Sequence, residues 1–334
     1  MDISCSFATS LDTPEHIALA ERLGYRRAWC YDSPALYPDV WVTLARAAER
    51  TERIQLGPGV LIPSLRHVIT NAAAVATLAA LAPGRVVVGV GAGLTGRLAL
   101  GRRPLPWREV AAYIRALRAL LRGEETESEG AVIRMLHPAG FAPPRPIEVP
   151  LLVAAQGPKG EAVARELGDG IISLGPRGGF AWAAEILFGT VLAEGESPGS
   201  ERALAAAGHG GAVLYHAMYD GGRGWGDLAA LPGSAVWRER AERLPARTRH
   251  LAVHDGHLIG LNALDEGVVG GELLAAVGMA QDRAGWRARL AASEAAGVTE
   301  LIYQPAGPDI ARELAAFAAM AGLQPVSAAA AARA

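Results

Sequence analysis

One repeated alternation constrains this chain more than any other feature. Short β-rich runs are separated by longer stretches of helical period, the pattern of a parallel sheet joined by crossover helices. Strands are expected at Ile3–Phe7, Arg27–Tyr31, Ile54–Leu61, Val86–Gly91, Leu151–Ala155, Gly170–Leu174, Ala212–Tyr219 and Glu300–Gln304. Between them, Thr13, Pro14 and Glu15 open a helix that runs to Leu23 and stops at Gly24. Further helices are expected at Trp41–Arg50 (Val42, Ala45 and Ala48 inward), Val68–Leu81, Trp107–Arg122, Pro158–Leu167, Phe180–Glu194, within Glu272–Ala296, and at Ile310–Ala321. Eight strand and helix pairs predict an α/β chain, a single-domain (β/α)8 TIM barrel over residues 1–326. Its insertions are an acidic, then proline-rich excursion at 124–149, after strand four, and a segment of about 220–271 after strand seven. The tail, 327–334, is of low complexity and expected to be disordered.

A doubly wound sheet is the main alternative, because Gly91, Gly93 and Gly96 spell G-x-G-x-x-G after an apolar run. A dinucleotide fingerprint should pass directly into a helix and reach an acidic residue about 20 residues on. These glycines lead instead to Arg97, Arg102, Arg103 and two prolines. The tight loop at a barrel-strand end is the better reading.

Composition narrows the partners. Lysine plus arginine number 32 against 34 acids, a net charge of −2, without the basic excess of a nucleic-acid binder. The longest apolar run, Ala72 to Ala82, is too short to span a bilayer, and no export signal is visible near Met1, so a cytoplasmic protein with no membrane partner is expected. Cys5 and Cys30 read as buried thiols rather than a disulfide. Of the 32 basic residues only Lys159 is a lysine.

Ligands of a TIM barrel bind at the C-terminal strand ends, which makes the residues just past each strand the candidates. Gln156, Gly157, Pro158, Lys159 and Gly160 form a turn opening a helix, where unpaired N–H groups and the positive dipole end favour a phosphate. Gly175, Pro176 and Arg177 begin a second cationic loop on the neighbouring strand. Two adjacent anion sites point to a phosphorylated cofactor; ordinary βα turns are the alternative.

The run Leu56-Gly57-Pro58-Gly59-Val60-Leu61-Ile62-Pro63, with Arg66-His67, Ala76-Thr77-Leu78, Gly84-Arg85 and Val88-Gly89-Val90-Gly91-Ala92-Gly93, resembles the bacterial luciferase-like flavin and deazaflavin oxidoreductases. So do Ala154-Ala155-Gln156-Gly157-Pro158-Lys159, Gly168-Asp169-Gly170 and Gly297-Val298-Thr299-Glu300-Leu301. The helix ending Arg122-Gly123-Glu124-Glu125 is most similar to the coenzyme F420 branch that holds the methylenetetrahydromethanopterin reductases. This resemblance implies a redox ring in the barrel mouth and a non-prolyl cis peptide at Gly59–Val60. It places cofactor contacts at Asp32, Gly59, Val60, Gly91 and Ala155–Lys159, to which the cationic loop adds Gly175, Pro176 and Arg177, and it implies a homodimer. Asp32 stands where relatives keep an acid near the reactive ring edge, which makes it the catalytic candidate; helix capping ahead of Pro34 is the alternative. Ser33 replaces the histidine that often follows that acid. Leu94 or Thr95 falls where sugar-phosphate dehydrogenases of the family keep a glutamate.

His250, His254 and His257 could share a helical face, but Leu251 replaces the zincin glutamate and Gly256 argues for a loop, so no metal is expected there. That stretch resembles a family segment bordering the cofactor tail or substrate entrance. Trp29, Trp41, Trp107 and Trp182 read as core. The expected activity is hydride transfer between coenzyme F420 and a small-molecule organic substrate. The alternatives are an FMN-dependent monooxygenase served by a flavin reductase, and a flavin-binding protein without catalysis.

Overall fold

The structure, a computed structural model, describes residues 1–220 and 226–325; the expected disordered tail lies outside them. Strand residues are mostly buried on both faces, because one side packs beneath helices while the other fills a barrel. The strands are β1 (Asp2–Phe7), β2 (Arg27–Cys30), β3 (Gln55–Pro58), β4 (Val88–Gly91), β5 (Leu151–Ala154), β6 (Gly170–Ser173), β7 (Ala183–Phe188) and β8 (Glu300–Gln304). They are hydrogen-bonded in the order β3-β2-β1-β8-β7-β6-β5-β4, and all pairs are parallel. The bridges Leu56↔Val86 and Leu61↔Val90 close β3 onto β4. The molecule is a TIM barrel, as the alternation predicts.

Trp29, Val87, Leu152, Ile172, Ala184 and Ile302 fill the barrel interior. At its floor the buried carboxylate of Glu300 accepts from Trp29 Nε1 at 3.1 Å and Trp182 Nε1 at 2.5 Å and lies 3.3 Å from the Arg27 guanidinium. A buried charge is tolerable only when so partnered. Outside the sheet run α1 (Thr13–Leu23), α2 (Val40–Ala48), α3 (Val68–Leu81), α4 (Trp107–Arg122), α5 (Pro158–Leu167), α6 (Glu201–Asp220), α7 (Arg283–Ala295) and α8 (Ile310–Ala321). Gly24 and Gly123 end α1 and α4 in the left-handed conformation that glycine adopts without steric cost. Helix α2 buries Val40, Thr43, Leu44, Ala47 and Ala48, whereas Val42, expected inward, is exposed. Asp39 caps it by accepting from Trp41 N and Val42 N, so the helix starts one residue early and presents the larger Val40–Leu44 stripe to the core.

The seventh unit differs from expectation. Residues 180–194 hold strand β7 and the short strand Thr190–Val191, not a helix, and no helix joins β6 to β7. The segment Ala212–Tyr219, expected as a strand, belongs to the 20-residue helix α6. Both errors follow from packing that overrides local propensity. Ala183 and Ala184 are strand residues because a crowded barrel admits small side chains there. Gly208, Gly210 and Gly211 sit within α6 because neighbours press against it: a Cβ on Gly210 would stand 2.8 Å from both Met279 Sδ and Phe188 Cβ.

The excursion after α4 forms a small antiparallel hairpin, Thr126–Ser128 with Ala131–Ile133. The segment after α6 carries the short helices Ser234–Glu242, Arg249–Val253 and Gly271–Ala276. With the single turn Leu228–Ala230 they pack Leu228, Trp237, Val253 and Leu274 against Tyr215 of α6 in a separate core. No described helix is long and apolar enough to cross a membrane. Cys5 and Cys30 are free and buried, and burial pushes both thiols well up.

Candidate active site

The C-terminal strand ends open into a cavity of about 380 Å³. Tyr31, Asp32 and Ser33 line it after β2, Gly59 and Val60 after β3, Gly91 to Gly96 after β4, and Ala155 to Gly157 after β5. Phe188, Val213, His257 and Leu258 close the far wall. The peptide Gly59–Val60 is cis, as the resemblance implies. Gly91 lies so close to it that an added Cβ would stand 2.8 Å from Val60 Cγ2.

Asp32 is the one carboxyl side chain of the lining among the described residues and is 2% exposed. Burial raises its pKa above the ordinary carboxylate range, and the Arg66 guanidinium, which donates to both its oxygens, opposes that rise. Arg66 also donates to Asp39 at 2.7 Å, joining the cavity edge to the cap of α2. The contact joins residues distant in sequence, so Arg66 carries no local mark of this role. The capping alternative for Asp32 has no hydrogen bond to support it among the described residues, since its oxygens face Arg66.

The two expected anion loops sit at the rim. Gln156 and Gly157 line the cavity, but Pro158, Lys159, Gly175, Pro176 and Arg177 do not, and Lys159 is exposed. Gly157 caps α5 without a side chain, and nothing lies within 4 Å of the Cβ position at Gly157 or Gly175. The N–H groups of Gly157 and Lys159 meet no acceptor among the described residues. Arg177 is engaged, 3.2 Å from Glu161 and donating to the Gln156 carbonyl at 3.3 Å, so it braces the turn. Trp107, expected as core, is half-buried and lines the cavity. It lies against the first turn of α5, where a Cβ on Gly160 would meet its ring at 2.4 Å.

The wall opposite is held from below. Tyr31 donates to Gln304 Oε1 at 2.7 Å, Gln304 Nε2 donates to the Leu258 carbonyl at 2.8 Å, and Tyr37 donates to the His257 carbonyl. Leu258 is left-handed at φ 62°, a conformation held by the bonds to the carbonyls on either side of its Cα. Behind Phe188, His209 is buried with both ring nitrogens unpartnered among the described residues, and burial pushes its pKa down to about 4. His250, His254 and His257 do not share one face. His250 faces a second cavity with Arg102, Arg103 and Arg249, while His216 of α6 joins His254 and His257.

A closed parallel barrel with an apolar mouth and a buried carboxylate at its edge defines a TIM-barrel ligand site. The chain belongs to the luciferase-like monooxygenase family, whose model matches residues 9–209. It is 36% identical over 217 residues to an F420-dependent glucose-6-phosphate dehydrogenase of Beutenbergia cavernae, covering 58% of this chain and 60% of that protein. It is 30% identical over 162 residues to a 5,10-methylenetetrahydromethanopterin reductase of Archaeoglobus fulgidus, covering 47% of each. The matched region therefore spans between about half and three fifths of these relatives' length. The fold is similar to the coenzyme F420 dependent tetrahydromethanopterin reductase of Methanopyrus kandleri, with a TM-score of 0.63 at 16% identity, covering 97% of this chain and 100% of the other.

Proposed function

We propose that this chain is an oxidoreductase that uses coenzyme F420 to transfer a hydride to or from a small organic substrate. The carrying observation is the arrangement of the mouth, an apolar cavity beside Gly59–Val60 with an uncapped helix start and Lys159 at its rim. The F420-dependent dehydrogenases among the relatives favour this cofactor over FMN. The deazaflavin would supply the two-electron chemistry. The residues present fit such a group: Val60 and Gly91 give a flat apolar bed, and the open space above Gly157 and Gly175 leaves room for an anionic tail. Asp32, fixed by Arg66, would orient the ring edge or hold a proton there.

Among the described residues no lysine or arginine lines the cavity, whereas Leu94, Leu105, Ile186, Phe188, Val213 and Leu258 do. That lining favours an uncharged, largely apolar substrate over a sugar phosphate. A homodimer in the cytoplasm completes the reading; Val132, Leu136 and Phe141, each more than 70% exposed on the excursion, supply apolar surface for the contact. Sedimentation velocity checks that state.

Titrating the purified protein with F420 and with FMN, followed by fluorescence, tests the cofactor. Tighter binding of F420, and its bleaching on addition of a small alcohol, is the expected result; FMN binding alone, or no binding, overturns it. Lys159→Ala should weaken F420 binding several-fold to about tenfold, the scale of one charge-assisted contact. Asp32→Asn should leave that affinity within about twofold and lower turnover by about a hundredfold, the usual reach of a positioned proton-transfer group.

A further inference from the structure

Three imidazoles meet behind the cavity wall. His216 comes from α6, and His254 and His257 from the turn after the helix Arg249–Val253. They are 1%, 1% and 4% exposed. Their Nδ1 atoms point at one another: His216 to His257 at 2.8 Å, and His254 to His257 at 3.4 Å. Each outer nitrogen is held by a different group. His216 Nε2 lies 3.1 Å from Asp265, His254 Nε2 lies 3.1 Å from Asp220, and His257 Nε2 lies 3.2 Å from Thr95 Oγ1.

A carboxylate at Nε2 keeps the ring proton there, so His216 and His254 turn lone pairs inward. Lone pairs converging in a buried space repel unless a cation sits between them. One proton on His257 Nδ1 could bridge to one neighbour but would serve two acceptors poorly at unequal distances. A tetrahedral divalent ion with bonds of about 2.0–2.1 Å holds its ligand nitrogens about 3.3–3.4 Å apart, which is the His254–His257 separation and needs His216 to retreat by about half an ångström. The charge balances as well: Asp220 and Asp265 bring two negative charges to the rim of the cluster, enough to neutralise one divalent ion. Asp265 is fully buried and also accepts from Trp237 Nε1 at 2.8 Å, so its position is fixed by the insertion's own core.

We infer that His216, His254 and His257 bind one zinc-class divalent ion through Nδ1, with Asp220 and Asp265 as the supports of its ligands. Imidazole nitrogens backed by carboxylates suit zinc among the common divalent ions and do not suit magnesium or calcium. Three imidazoles leave the fourth tetrahedral position to a water. The ion ties the 254–258 turn to α6 and so sets His257 and Leu258, two residues of the cavity wall.

The test uses the full chain without a polyhistidine tag, stripped with chelator and then dialysed against zinc. About one zinc per chain by elemental analysis is expected, with a raised thermal midpoint. Cobalt in its place should give the intense visible bands of four-coordinate Co²⁺. His254→Gln and His216→Gln should bind zinc at least about a hundredfold more weakly, while His250→Gln, on the second cavity, keeps wild-type zinc. Should either variant fail to fold, the wild-type stoichiometry and cobalt spectrum decide alone. Wild-type protein that holds no more zinc than His254→Gln, or whose midpoint ignores zinc, overturns the site and leaves a histidine hydrogen-bond knot.

Discussion

Arg66→Met is expected to destabilise the protein by about 3–5 kcal/mol at pH 8, the cost of stranding a buried carboxylate. Asp32 is 2% exposed and both its oxygens rest on this one guanidinium. The loss should shrink toward pH 5. Burial already raises the folded-state pKa of Asp32 above its unfolded value, and removing Arg66 raises it further. A carboxyl raised on folding holds its proton more tightly in the native state, so its stabilising contribution is present at low pH and disappears as pH climbs through the folded pKa. Urea midpoints at pH 5 and pH 8 check this. Equal losses at the two values would sink it, and Asp32→Asn combined with Arg66→Met should recover most of the deficit at pH 8.

Gly57→Ala should cost about 3 kcal/mol or more, at the upper end of overpacking penalties. The added carbon would fall 1.9 Å from the Val87 carbonyl oxygen, and backbone cannot step aside as a flexible side chain can. This is also the seam where the barrel closes. β3 and β4 are joined through isolated bridges and a few backbone bonds, among them Leu56 N to Arg85 O at 2.7 Å and Leu61 N to Gly89 O at 2.7 Å. A wedge there opens the ring. Gly157→Ala is the control: nothing lies within 4 Å of its new carbon, so its denaturation midpoint should stay within about 0.5 kcal/mol of wild type. Similar midpoints for the two variants would refute the seam argument.

Much of the barrel was legible because its signals are local. Pro14 and Gly24, or Gly123 after the periodic run of α4, mark helix ends by chemistry that neighbouring residues cannot change. The seventh unit was illegible because Gly208, Gly210 and Gly211 weaken the helical signal of α6 while serving a contact made far along the chain. The same misreading hid the histidine cluster. With Ala212–Tyr219 taken as a strand, His216 could not be set beside His254; read as a helix, His209 and His216 fall two turns apart on one face, a pattern that was available. Within the candidate site, strand-end glycines and Asp32 were found by position, whereas Arg66, Tyr31, Phe188 and Val213 enter through tertiary packing. Trp107 was visible but assigned to the core, since a half-buried aromatic has no separate sequence mark.

The Leu258 turn is anchored to Gln304 of the last strand and to Tyr37, yet it belongs to a segment beyond the residues that match the family model. The mouth is thus made of two parts, strand ends within the matched residues and a roof outside them that two hydrogen bonds tie down. A substitution that loosens either bond would shift the roof and reshape the opening while the strand ends beneath keep their register.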